Sequence, residues 1–187
     1  MVDIIDYDED YNRIWQIIGK LGEQRKLTDI LEVGCEWGSF VGFLRQQGFN
    51  AFGIDFNDNL GKEGIKEGYL LKLNACHIGR HFGDRLFDMV FTNGVMCEGA
   101  IMETIMDQGG TLLGAQGLVD FIHKYAPANV KNILEAGFGQ LKSGGFFLAH
   151  EYLDHPDDTL CFDETLASRV GYSVLSYTPK EAVLQKP

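Results

Sequence analysis

Three places in the chain carry residues whose types and spacing suit chemistry. The first is ILEVGCEWGSF, Ile30 to Phe40, where Glu32 precedes Gly34 and Gly38, and Cys35, Glu36 and Trp37 lie between the glycines. Glycines in a turn after an apolar run remove Cβ atoms, so backbone can approach a ligand, and the following helix offers unpaired N–H groups. The second is Asp55 in FGIDF, about 20 residues beyond Gly34, where a second strand ends with an acid placed for ribose hydroxyls. The third is HEYLDHPDD, His150 to Asp158, where His150, Glu151, Tyr152 and His155 include groups fit to take a proton or orient a substrate. Glu98, just past a fourth apolar strand, belongs to the same rim. Cys76, His77 and His81 could share a helical face, but Gly79 interrupts it and no carboxylate falls at a suitable spacing, so no metal is expected. Cys35 has no base nearby in sequence and reads as a packing residue before a nucleophile.

These residues need elements to position them. Tyr11, Ile14, Trp15, Ile17, Ile18 and Leu21 recur at helical intervals and predict a first helix over 9–25. DILEV reads as a buried strand, GSFVGFLRQQG as a helix closed by Gly48, and NAFGIDF as a second strand. A short helix over 60–67, a third strand YLLKLNA and a fourth, RLFDMVFTNG, follow. Residues 95–127 are rich in glycine and read as a lid or substrate insert. ANVKNILEAGFGQL is then a helix ending at Ser143-Gly144-Gly145, and GFFLAHEYL a fifth strand. A loop and short helix lead to YSVLSYT, the turn Thr178-Pro179 and EAVLQK, a closing hairpin. Alternating strands and helices give an α/β class: a doubly wound, mostly parallel seven-stranded sheet with an antiparallel C-terminal hairpin, in one domain over 1–187.

Composition narrows the partners. Sixteen basic against 27 acidic residues leave a net charge of −11, which repels phosphate backbones and anionic membrane surfaces. A small-molecule substrate is expected, with neither nucleic acid nor membrane as partner. The acidic start, MVDIIDYDED, lacks a charged-then-apolar leader, and no apolar run nears the ~20 residues of a membrane helix, so a cytoplasmic location is expected. The scattered Cys35, Cys76, Cys97 and Cys161 read as reduced thiols.

Glu36 decides between ligands. Dinucleotide sites use G-x-G-x-x-G, whereas this loop has only Gly34 and Gly38, and a pyrophosphate at the helix start would meet the Glu36 anion. A nucleoside that lacks phosphates and carries a positive centre meets no such repulsion, and S-adenosylmethionine is of that kind.

LEVGCEWGSF with Asp55 beyond it resembles the class I S-adenosylmethionine-dependent methyltransferases, whose first motif is an acid followed by alternate glycines, here Glu32, Gly34, Glu36 and Gly38. LKLNA is similar to that family's third-strand end, FDMVFTNGVM to its fourth-strand motif, and LEAGFGQLKSGGFFLAH to its fifth-helix segment and turn. The resemblance covers about residues 28–186. It implies a Rossmann-like methyltransferase fold and cofactor contacts from Glu32, Gly34, Cys35, Glu36, Gly38, Asp55, Phe56, Asn74, Ala75 and Asn93. It implies methyl transfer to a small molecule on O, N or C, S-adenosylhomocysteine as product, and Glu98, His150 or His155 as base. Glu36 in place of the middle glycine and Asn74 in place of the usual acid keep open a fold-sharing protein that binds a ligand or supports a partner enzyme without methylating. With so compact a chain, a second copy or a partner subunit could complete the pocket.

Overall fold

The computed structural model describes residues 9–56, 58–96, 128, 130–151, 160 and 162–187. Period-two alternation along the strands sorts their side chains to two faces of one sheet. Strands β1 (Asp29–Val33), β2 (Asn50–Asp55), β3 (Leu70–Lys72), β4 (Phe87–Asn93), β5 (Leu141–His150), β6 (Ser173–Tyr177) and β7 (Glu181–Gln185) form it, in the order β3-β2-β1-β4-β5-β7-β6. The first five are parallel; β7 runs antiparallel between β5 and β6.

Two cores cover the faces. On one, helices α1 (Glu9–Gln24) and α2 (Ser39–Gln46) bring Ile14, Ile18, Phe40 and Leu44 against Ile30, Met89, Phe91, Phe146 and Leu148. On the other lie α4 (Ile78–Phe82), α5 (residues 130–140) and α6 (Glu164–Val170), with Ile78, Ile133, Leu134 and Ala167 packed on Leu31, Val33, Val90 and Phe147. Helix α3 (Lys62–Glu67) precedes β3 at the edge. The elements predicted from periodicity are found, as are the seven strands and the reversed hairpin.

Two boundaries differ from the sequence reading. Strand β5 starts at Leu141, four residues before the predicted Gly145, because Ser143-Gly144-Gly145 is a bulge inside the strand and not a turn before it. Leu141 pairs with Phe87 and Phe146 with Met89, so three extra residues bow out on β5. Gly144 takes φ +73° there, which a glycine adopts without strain. Strand β3 stops at Lys72, since the Asn74 side chain accepts the Cys76 N–H at 2.8 Å and turns the chain into a 3₁₀ segment, Ala75–His77. Gly79 lies within α4, which ends at Gly83, and His77 lies outside that helix.

At the amino ends of the strands, buried Asp88 ties three elements together. It accepts the Thr28 and Asp29 N–H groups, both at 3.0 Å, and pairs with Lys142 at 3.0 Å and Arg25 at 3.4 Å. Burial pushes its carboxyl up, but the Asp29 and Thr28 N–H groups and Lys142 outweigh this and hold it below the usual range. Asp88→Ala is expected to destabilise the fold by about 1–2 kcal/mol at neutral pH, because two part-buried N–H donors and Lys142 lose their acceptor. The native carboxyl keeps its charge to lower pH than the unfolded one. Its stabilisation is therefore full above the unfolded value near pH 4 and fades as pH falls through the native value. Urea melts from pH 3 to 7 should show the two proteins converging at the acid end, and parallel curves would refute this role.

Candidate functional site

Strand pleating lines up one polar row at the carboxyl ends. Glu32 of β1 shares the face of Ile30; Asn93 of β4 that of Phe91; His150 of β5 that of Leu148; and Glu181 of β7 lies opposite His150. All four therefore face the α1 side. The first turn of α1 comes down on this row. Tyr11 Oη donates to Glu32 Oε1 at 3.1 Å and also meets the Asn93 side chain, while the Tyr11 ring stacks on Phe40 with centroids 4.6 Å apart. One residue earlier, Asp10 Oδ1 lies 3.1 Å from His150 Nε2. Arg13 grips Glu181 at two points, Nε to Oε2 and Nη2 to Oε1, each 2.9 Å.

The glycine loop follows β1 on that same rim. Gly34, Glu36 and Gly38 have φ of +78°, +47° and +77°, so every second residue is left-handed. Glu36 thus takes the conformation that a middle glycine would, at a strain of about 1 kcal/mol. The loop is pinned by its own backbone: Gly34 and Cys35 N–H donate to Ile54 O at 2.8 and 3.1 Å, and Gly38 N–H to Cys35 O at 2.7 Å. Asp55 Oδ2 accepts the Glu36 N–H at 2.9 Å, joining the end of β2 to the loop. A Cβ at Gly34 would strike the Val95 side chain, and one at Gly38 that of Leu70.

Charge is concentrated here. Glu32 is completely buried, and its carboxyl is pushed up to about 8, first by burial and further by the Glu36 and Asp55 charges, against the opposing bond from Tyr11. Burial likewise pushes the Tyr11 hydroxyl and the Cys35 thiol well up, so Cys35 is not a thiolate nucleophile at neutral pH. Glu32 Oε2 and Asn93 Oδ1 are buried acceptors that no donor among the described residues reaches. Two such acceptors beside one tyrosine call for a further donor, and a cation suits them best. At the far end of the row the ring of His150 has no exposure and stands between Asp10 and Glu181, with Nδ1 3.5 Å from Glu181 Oε2. Burial pushes the Glu181 carboxyl up, yet His150 and Arg13 outweigh it and bring it down to about 2.

No protein-family profile and no curated sequence matches this chain. Solved structures do. Magnesium protoporphyrin IX methyltransferase from Synechocystis, solved with bound S-adenosylmethionine, superposes with a TM-score of 0.60 at 11% identity over 100% of this chain and 86% of its own. The N-methyltransferase NodS of Bradyrhizobium japonicum, in complex with S-adenosylhomocysteine, gives 0.59 at 12% identity over 98% and 90%. A 16S rRNA methyltransferase of Thermus thermophilus, in complex with the cofactor and guanosine, gives 0.56 at 14% identity over 98% and 44%. The chain has the class I methyltransferase fold. In that methyltransferase fold, the strand ends carrying Glu32, Asp55 and Asn93 form one rim with the glycine loop.

Other expected site residues distribute unevenly. Cys35 is buried under the loop, where its Sγ occupies the space a Cβ at Gly53 would fill. Phe56 follows Asp55 and is half-buried, and Ala75 is buried in the turn after β3. Asn74 precedes that turn with its side-chain oxygen committed to the Cys76 N–H. Glu151, buried beyond His150, accepts the Met96 N–H at 3.0 Å and so ties the end of β5 to the chain leaving β4. Glu98, His155 and residues 97–127 of the expected insert lie outside the described residues. Asp10, Arg13 and Glu181 are not singled out by the sequence, since Asp10 and Arg13 belong to a polar first helical turn and Glu181 opens its strand. Among the described residues no group of three or more histidines, cysteines or acids could hold a metal ion, and no helix is long and apolar enough to cross a membrane.

Proposed function

We propose that the protein is an S-adenosylmethionine-dependent methyltransferase acting on a small molecule. The observation that carries this reading is the pair of unpartnered buried acceptors, Glu32 Oε2 and Asn93 Oδ1, beside a left-handed loop whose Asp55 ends the second strand. Glu32 and Asn93 suit the cofactor's ammonium, and Asp55 its ribose. When bound, the cofactor supplies an electrophilic methyl group on a sulfonium. The chain holds the acceptor in line with that methyl, excludes water and provides a base where the acceptor carries a proton. Glu98 and His155 are proposed for the base. His150, enclosed by Asp10 and Glu181, is proposed to position α1 over the site.

The magnesium protoporphyrin IX methyltransferase among the solved neighbours and the acidity of the chain both favour a small, neutral or cationic acceptor. Calorimetric titration with S-adenosylmethionine, S-adenosylhomocysteine and NAD tests the reading. The adenosyl ligands are expected to bind at micromolar concentrations and NAD not at all, and binding of NAD alone would reverse the assignment. Glu36, with its non-glycine strain, favours the second reading of a fold-sharing, non-methylating protein. An adenosyl ligand bound without turnover on any amine, hydroxyl or carbon acceptor offered would support it.

A further inference from the structure

We propose that the glycine loop of this protein selects the charged cofactor over its neutral product, with Glu36 as the selecting residue. The inference rests on the cofactor reading above and concerns what Glu36 adds to it. Three carboxylates gather at the loop. Glu32 lies beneath it, Asp55 accepts the Glu36 N–H at 2.9 Å, and the side chain of Glu36 stands exposed at its crest. The three carboxyl groups surround Cys35 in the middle of the loop and push its thiol up, and Glu36 and Asp55 help to push up Glu32. Neither Glu32 nor Glu36 has a basic partner among the described residues; Arg13, on the helix above, is engaged by Glu181. Glu32 is wholly buried with Oε2 unpartnered, an independent sign that something cationic belongs among these charges.

S-adenosylmethionine carries a sulfonium, an ammonium and a carboxylate, a net charge of about +1, whereas S-adenosylhomocysteine is neutral overall. In methyl transfer the acceptor's electron pair forms the new bond to carbon, and the pair of the old S–C bond stays on sulfur. The positive charge leaves with the methylated acceptor or with the proton its base removes. The carboxylates then face a thioether and lose one unit of attraction. A glycine at position 36 would leave two acids here; Glu36 makes three, at the expense of a strained backbone. This residue therefore weights the site toward substrate and limits inhibition by product.

Calorimetry on the intact protein reads this directly, as the ratio of the dissociation constants for S-adenosylhomocysteine and S-adenosylmethionine. In the wild type the ratio is expected to exceed one and to shrink as salt rises from ~20 to ~500 mM, since Glu36 is exposed to screening. Glu36→Gln keeps the side chain's size and the left-handed backbone but removes the charge. It should lower the ratio about three- to tenfold, by weakening the methyl donor and leaving the thioether product unchanged. Glu36→Lys should lower it further. A wild-type ratio at or below one, or a loss shared equally by both ligands in Glu36→Gln, overturns the proposal while leaving the cofactor reading intact. Binding of neither ligand to the wild type overturns both.

Discussion

Replacing Glu32 with glutamine should make the ligand-free protein more stable above neutral pH, by about 2–3 kcal/mol, while lowering affinity for S-adenosylmethionine about 100-fold. Both effects have one cause. Burial holds the native carboxyl up at about 8, against an ordinary value of 4.5 in an exposed chain. Between those values the unfolded chain has already lost its proton and the native one retains it. Stability therefore falls as pH rises from 4.5 to 8 and levels off above. The full gap would be worth up to about 5 kcal/mol, and relaxation of the surroundings around the ionised carboxylate reduces that by about half. Glutamine carries no such proton, so its stability curve should lack this slope. It also exchanges one unpartnered buried acceptor for an unpartnered donor, so the gain is confined to ionisation. The affinity loss follows because an amide cannot become the anion that a bound ammonium needs. In the wild type, binding near pH 7 should expel a proton from Glu32, which titrations in two buffers of different ionisation enthalpy detect as a buffer-dependent heat. A wild-type stability profile that stays flat from pH 5 to 8, or equal buffer dependence in both proteins, would remove Glu32 from the cofactor's charge site.

The sequence made this part of the site legible because its members are close in the chain or tied to a motif. Glu32, Gly34, Glu36 and Gly38 lie within one loop, and Asp55 ends the next strand. Even the strain at Glu36 was foreshadowed by the glycines on alternate positions around it. The roof was not legible. Asp10 meets His150 across 140 residues of chain and Arg13 meets Glu181 across 168. Their meeting depends on β7 inserting beside β5, and on which pleat face each residue takes after the bulge in β5. A shift of one residue in that bulge would turn His150 to the opposite core. Ser143-Gly144-Gly145 itself shows the difficulty. The same residues that make a turn also make a bulge, and only pairing with Phe87 and Met89 separates the two. The end of β3 was hidden for a related reason, because the short amide side chain of Asn74 caps the local turn.

Removing His150 should loosen the whole roof. His150→Leu fills the volume but leaves the buried Asp10 and half-buried Glu181 carboxylates facing each other without the ring between them, and is expected to destabilise the protein by about 2–3 kcal/mol. Relief should come from neutralising Asp10 as well. The double variant with Asp10→Asn is expected to recover most of the loss, since Glu181 keeps its Arg13 partner and no buried charge is then stranded. The acid limb of stability offers a second readout. Native Glu181 keeps its charge down to about 2, although an ordinary glutamate is protonated near 4.5. Its stabilisation, worth about 2 kcal/mol after screening, is complete above 4.5 and disappears as pH falls toward 2. His150→Leu should flatten that limb only partly, because Arg13 still holds Glu181 at two points. Urea melts between pH 3 and 7 measure both effects, and limited proteolysis within 9–24 reports the release of α1. With α1 released, Tyr11 leaves Glu32, so the variant should bind cofactor more weakly through its structure and not through a lost proton acceptor. If His150→Leu kept full stability and α1 protection but lost turnover alone, the ring would be the base and not the clamp.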